Sequence, residues 1–410
     1  MRTLALASLG MLAGCVVGQI EEAPPENDPG NNDLGESDGI TPDLAPISGC
    51  SEVTEVVLYS EGVYDLQLPN AFAANADPCT RYWVTLPALD SDKTQPRPGA
   101  ANVHALGANF HAMAEFNWGA WSASLGQSPT ASEWESAGQQ FRSRMAAAGY
   151  DVSGGDTWAI NEFPNATHSG DNGVWTNEAA AVKGLYEGDG TQSTRGTVYI
   201  SGIGQTLADF SVYKPNAENW LRADAFWTAM MDHVQWFSLE VYADPHDDCV
   251  RGDSVSNDAD HVSAYVEHLP RLAKQGGSQT ASAARYLSHH YLPLLNAAWN
   301  SNVGFGDNLV DLDNFVRFSR LQVYAAHYWA SSHGYPGRRI GFAWAPKNAT
   351  QAQTDSLADV IAKSVTRAYP ANKFYNYGKY ACSTDGSLDG CGCQVDGASY
   401  NSGWDAFSSW

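Results

Sequence analysis

The sequence predicts an α/β protein built as a (β/α)8 TIM-type barrel, and three observations carry that expectation. Short apolar runs alternate with amphipathic helical stretches along most of the 410 residues, the pattern that repeated strand–helix units give a parallel sheet. Roughly 360 residues follow the N-terminal region, enough for one large barrel. No Gly-rich loop follows an early strand, as the alternative, a doubly wound nucleotide-binding sheet, requires.

Seven strands are expected: Glu55–Ser60, Tyr82–Pro87, Asn102–Phe110, Thr157–Phe163, Thr197–Ile203, Val234–Tyr242 and Ile340–Ala345. Helices are expected over 131–148, 175–187, 220–233, 312–332 and 351–369. In the first, Trp134, Phe141 and Met145 share one face at helical spacing. Between Asp260 and Leu312 two helical stretches, 258–274 and 280–300, come in succession. Seven strands are one short of a regular barrel. Either the eighth lies near Val303–Val310 or the barrel is irregular.

The chain divides into three parts. Arg2 and the apolar run Leu4–Leu12 make a leader over residues 1–14, too short to span a bilayer. Leu12-Ala-Gly-Cys15 resembles a bacterial lipobox, which implies that Cys15 becomes the lipidated first residue of the mature protein. Residues 15–49 read as a disordered acidic tether. Between Val16 and Ser48 stand five prolines and eight acidic residues with no Lys or Arg, too little apolar surface to offset chain entropy. Residues 50–410 form the folded domain. The expected location is the bacterial cell envelope, lipid-anchored, or secretion.

The formal charge is −23 at pH 7, with no basic cluster to offset it. That excludes nucleic acid as a partner. The N-terminal lipid would be the contact with the membrane, and a monomer is expected. Six further cysteines, Cys50, Cys79, Cys249, Cys382, Cys391 and Cys393, suggest three disulfides in an exported chain. Cys50 with Cys79 would pin the entry strand, and the C-terminal cysteines would staple the tail. Fifteen pairings are open. Cys391-Gly-Cys393 is poorly spaced for zinc, and neither metal nor cofactor is expected. The 14 Trp, 19 Tyr and 14 Phe suit both a large core and the apolar faces of sugar rings.

The run Trp158-Ala-Ile-Asn161-Glu162-Phe-Pro164 carries the most chemical information. It is a buried strand that ends in a carboxylate, the way parallel barrels present a catalytic acid at their C-terminal mouth. A raised pKa, which an aromatic, partly dry pocket provides, would suit that acid to protonate a leaving oxygen. A second strand-like run, Val234–Tyr242, places Glu240 near its end in the same way. His111, Glu115 and Trp118 lie along or beyond one expected strand. Gln205 follows another, and Trp344 sits near the end of the last. Neither a Gly-x-Ser-x-Gly elbow nor His-Glu-x-x-His is present, which disfavours a peptidase.

The Asn161-Glu162 run resembles the strand-four signature of the large retaining (β/α)8 glycoside hydrolase clan. The resemblance implies cleavage of O-glycosidic bonds in a poly- or oligosaccharide. Asn161 would bind the sugar 2-hydroxyl, and Glu162 would be the acid/base. The clan places its nucleophile on strand seven, whereas Glu240 falls on the sixth expected strand. It also places Pro directly after Glu, where Phe163 intervenes here. Glu240 is the expected nucleophile, with His111, Trp118, Tyr242, Gln205 and Trp344 lining the substrate site and Trp344 as its floor. An inverting enzyme using Asp244, Asp247 or Asp248, and a non-catalytic carbohydrate-binding barrel, are the alternatives.

Overall fold

The computed structural model describes residues 46–60, 66–163, 172–200, 221–241, 277–298, 338–346 and 349–368, with isolated helical positions between 266 and 330. Eight parallel strands close into a barrel in sequence order. They are β1 (Thr54–Ser60), β2 (Thr80–Leu86), β3 (Phe110–Asn117), β4 (Thr157–Phe163), β5 (Gly196–Ile200), β6 (Val234–Val241), β7 (Tyr291–Ala297) and β8 (Arg338–Trp344). The last pairs with the first, from Thr54 opposite Arg338 to Ser60 opposite Trp344. The fold is therefore the (β/α)8 barrel that the alternation predicted.

Strand periodicity divides the core in two. Val57, Trp83, Met113, Ala159, Tyr199, Trp236, Leu292, Leu294 and Ala343 fill the lumen. The residues between them, such as Val56, Val84, Ala112, Phe237 and Phe342, belong to a larger outer cluster that includes helix residues. β2 and β7 are buried along their whole length, which is how parallel strands covered on both faces read in sequence.

Among the described helices are α1 (Gln67–Ala74), α2 (Ala100–His104), α3 (Trp118–Leu125), α4 (Ala131–Met145), α5 (Asn172–Glu187), α6 (Asp224–His233), α7 (Ala281–His290) and α8 (Gln351–Ala368). α4 begins with a reciprocal cap: Thr130 accepts from the Glu133 N–H, and Glu133 accepts from the Thr130 N–H. Its buried face carries Trp134, Phe141 and Met145, as the periodicity predicts. No helix among the described residues is long and apolar enough to cross a membrane.

Two expectations are corrected. The run Asn102–Phe110 is not a strand. Gly99 and Gly107, both at φ 148°, flank the short helix α2, and the third strand starts only at Phe110. Nor is Thr280–Asn300 one helix. The helix stops at His290, and Tyr291–Ala297 is the seventh strand. Pro293 explains the change, since it can neither donate in a helix interior nor avoid the preceding turn. The missing strand is thus Tyr291–Ala297. Val303–Val310 lies outside the described residues.

Cys50 and Cys79 are bonded, with Cα atoms 5.5 Å apart. The bridge ties the approach to β1 to the residue before β2, beside the Thr54 N–H to Cys79 carbonyl hydrogen bond of 2.9 Å. Cys15, Cys249, Cys382, Cys391 and Cys393 lie outside the described residues.

α4 and α5 touch backbone to backbone through glycines. A Cβ on Gly138 would stand 2.5 Å from the Ala181 carbonyl oxygen, and one on Gly184 would strike the carbonyl of Glu135. Gly184→Ala is expected to cost about 1–3 kcal/mol by overpacking, read as a lowered urea midpoint. An unchanged midpoint would contradict this close approach.

Candidate active site at the C-terminal mouth

Strand β4 breaks its alternation near its C-terminal end. Ile160 pairs with Val198 and Phe163 with Ile200, so Asn161 and Glu162 together oppose Tyr199 alone. This is a β-bulge, a device that re-aims side chains beside active sites. Its effect shows in packing: Ile160 and Phe163 are three residues apart, yet both belong to the outer core. The extra residue falls on Asn161-Glu162.

Asn161 is half-buried, and its Nδ2 donates to the Tyr59 hydroxyl at 3.0 Å. That hydroxyl lies 3.4 Å from Glu115 Oε2, to which it donates. Glu115, 2 % exposed, also accepts from the Ala88 N–H at 2.9 Å and from Asn117 Nδ2 at 3.0 Å. Asn117 is oriented independently, because its Oδ1 caps α3 by accepting from the Ala120 N–H at 2.9 Å. Tyr199 lies edge-on to Tyr59 at 5.5 Å and shares a 2.6 Å hydrogen bond with Thr85. Five strands thus supply one connected polar lining. Burial raises the Glu115 carboxyl above its ordinary pKa, partly offset by the bonds from Asn117, the Ala88 N–H and Tyr59.

Glu240 lies on β6 opposite Leu294. Leu294 belongs to the lumen cluster, so the register pairs Glu240 with a lumen residue. Glu162 and Glu240 are described as backbone positions only. Glu162 is on the fourth strand of the barrel. The seventh strand, Tyr-Leu-Pro-Leu-Leu-Asn-Ala, carries no carboxylate, so Glu240 stays on the sixth. Gln205, Tyr242, Asp244, Asp247 and Asp248 lie outside the described residues.

Three expected lining residues are elsewhere. His111 sits near the start of β3, at the opposite end of the barrel, with its ring 5.0 Å from that of Trp83. Misplacing the third strand caused the error. Trp118 opens α3 and stacks on Trp134 at 4.0 Å, edge-on to Phe163. It is a packing residue between helices and β4. Trp344 is fully buried in the outer cluster beside Phe342 rather than in the lumen, because alternation along β8 turns Gly341 and Ala343 inward instead. Tyr59, Tyr199 and Asn117 were the residues missed, and Glu115 was undervalued. With β3 begun after Gly107, alternation alone would have set Glu115 at the inner side of a strand end.

The N-terminal end of the lumen holds a second buried acid. Glu55 is 2.8 Å from Arg81 and accepts from Trp83 Nε1 at 2.6 Å. Burial raises its pKa to about 7, against the opposing pull of Arg81, Trp83 and Arg339. Nearby, His104 and the Ala112 N–H both bond the Asp156 carboxylate.

No family model matches the chain, and no curated protein matches it. Among solved structures, the chain is similar to an endo-beta-1,4-glucanase from Xanthomonas axonopodis pv. citri. The TM-score is 0.40 and the identity 11%, covering 77% of this chain and 100% of that one. The functional reading therefore rests on this chain's own residues.

The raised Glu55 pKa has a signed consequence for stability. The unfolded chain releases this proton near the ordinary value of 4.5 and the folded chain near 7. The contribution of Glu55 is thus complete below about 4.5 and is lost as pH rises to about 7. Relative to Glu55→Gln, the parent protein is expected to lose stability across that window in urea titrations. Parallel curves for the two would refute the assignment.

Proposed function

We propose that the protein is a glycoside hydrolase that cleaves O-glycosidic bonds by a two-carboxylate mechanism at the C-terminal mouth. The observation that carries this reading is the β4 bulge, which sets Asn161 and Glu162 against Tyr199 at the rim. The same barrel offers a guide to what such a bulge does. In β6, Val234 pairs with Gly196 and Trp236 with Thr197, leaving Gln235 as the extra residue. There Gln235 and Trp236 both line the inside of the barrel, while Val234 and Phe237 stay in the outer core. The reading requires the β4 bulge to do the same for Asn161 and Glu162 at the mouth.

In this reading Glu162 protonates the leaving oxygen and later activates water. Glu240 attacks the anomeric carbon and forms a glycosyl–enzyme intermediate. Retention requires carboxyl groups about 5–5.5 Å apart, and about 6.5–9.5 Å would give inversion instead. Asn161 reaches the sugar with an amide held by Tyr59. Tyr59 in turn is braced by Glu115, so the position of the sugar contact is fixed before substrate arrives. Proton donation by a positioned carboxyl accounts for about 10²–10⁴ in rate.

One observation favours a second reading, a barrel that binds carbohydrate without cleaving it: the seventh strand lacks the acid that the clan uses. Turnover separates the two. On a panel of polysaccharides assayed for new reducing ends, Glu162→Gln and Glu240→Gln are each expected to lower kcat by about 10²–10⁴. Failure of the parent to release reducing ends from any of them, or unchanged turnover in both variants, would overturn the hydrolase reading.

Lipidation at Cys15 and a tether over residues 15–49 belong to the same proposal. They would hold the domain of residues 50–410 off the envelope as a monomer. Cys15→Ser is expected to move the protein from the membrane pellet to the soluble fraction. A variant that still pellets would refute the anchor.

A further inference from the structure

Glu115 is buried at the mouth but carries no step of the two-carboxylate scheme. Both of its oxygens face groups that can only donate. The Ala88 N–H bonds Oε2 at 2.9 Å. Asn117 Nδ2 bonds Oε1 at 3.0 Å, and the other end of that amide is already turned to the Ala120 N–H. The donors around Glu115 are therefore fixed in direction as well as in place.

Oε2 also accepts from the Tyr59 hydroxyl, at 3.4 Å. An ionised carboxylate only accepts, and a phenol has one proton. With that proton aimed at Glu115, the Tyr59 oxygen can only accept from Asn161. Asn161 meets it with Nδ2, at 3.0 Å. The two ends of an amide point in different directions, so Oδ1 is turned away from Tyr59. The bonds from Asn161 through Tyr59 to Glu115 thus all run one way.

We propose that Glu115 is a positioning residue: through Tyr59, its carboxylate selects which end of the Asn161 amide is presented at the mouth, leaving Oδ1 to accept from a ligand hydroxyl. That the ligand is a glycosidic substrate rests on the hydrolase reading. A protonated Glu115 reverses the order. It donates to the Tyr59 oxygen, the phenol then donates to Asn161, and the amide must turn its carbonyl inward. Burial raises the Glu115 carboxyl above its ordinary pKa, against the pull of Asn117, the Ala88 N–H, Tyr59 and the charge of Lys93 in the loop after β2. The order in the structure belongs to the ionised form, so it holds above that raised pKa and is lost as pH falls through it. Among the described residues, the other titratable neighbours of this chain of bonds are Tyr199 of β5, in ring contact with Tyr59 at 5.5 Å, and Glu162, next to Asn161 in sequence.

The full chain, labelled with ¹⁵N at asparagine, is titrated from neutral to acid pH while the Asn161 side-chain amide is followed by NMR. Loss of the signal in Asn161→Ala identifies it. The expected result is a step with its midpoint above 4.5 that both Glu115→Gln and Tyr59→Phe abolish. A step that survives Glu115→Gln belongs to Glu162 and overturns the proposal. So does one that survives Tyr59→Phe, or a signal that does not move in the parent. If Glu115→Gln does not fold, Tyr59→Phe decides. On a polysaccharide that the parent cleaves, Tyr59→Phe is expected to lower kcat/KM about tenfold, with no further loss in an Asn161→Ala background. Equal losses in both backgrounds would make Tyr59 merely structural and overturn the proposal. Should the parent cleave none, the hydrolase reading falls, and the amide titration still decides the role of Glu115.

Discussion

A β-strand in a closed barrel has two faces and a strict period, and the described strands depart from that period twice. Every strand buries one set of side chains in the lumen and the other under the helices. A single extra residue would turn the rest of a strand inside out, exposing the outer core. β4 and β6 each absorb one extra residue in a bulge, so Ile160 and Phe163, like Val234 and Phe237, keep their places in the outer cluster. The two bulges lie toward opposite ends of the barrel, and each marks a place where polar groups gather.

The polar lining at the mouth depends on this arrangement. Asn161 reaches Tyr59 across the barrel, Tyr59 reaches Glu115, and Glu115 is fixed by Asn117 and the Ala88 N–H. Asn117 is itself tied to the start of α3. The members come from β1, β3, β4 and the loop after β2, so the lining ties several parts of the barrel together. A carboxyl buried as deeply as Glu115 is tolerated because three donors converge on it.

Much of the fold was legible in the sequence. Thr157–Phe163 is a strand with the expected boundaries, and α4 presents the expected face, because strong periodicity over a long segment leaves few alternatives. The third strand was misplaced because Val103-His-Ala-Leu alternates passably, and the backbone freedom of Gly99 and Gly107, which stand on either side of α2, outweighed that pattern. The seventh strand was hidden because α7 passes directly into it with no Gly or turn residue between His290 and Tyr291, and Pro293 signals the change. The site was less legible than the fold. A bulge leaves no residue signature of its own, since the extra residue is visible only once a partner strand sets the register. His111, Trp118 and Trp344 were attractive as isolated aromatic or polar residues near strand ends. Which end and which face they occupy depends on a strand start that propensity places only to within a few residues.

The central claim is that Glu162 and Glu240, from strands two apart in the barrel, turn into one mouth. A crystal structure resolving both side chains measures this directly. The account predicts carboxyl groups separated by about 5–9.5 Å across a solvent-open hollow, with Asn161 beside them. A Glu162 carboxyl lodged among the helices of the outer layer, or a separation well beyond that range, would contradict it.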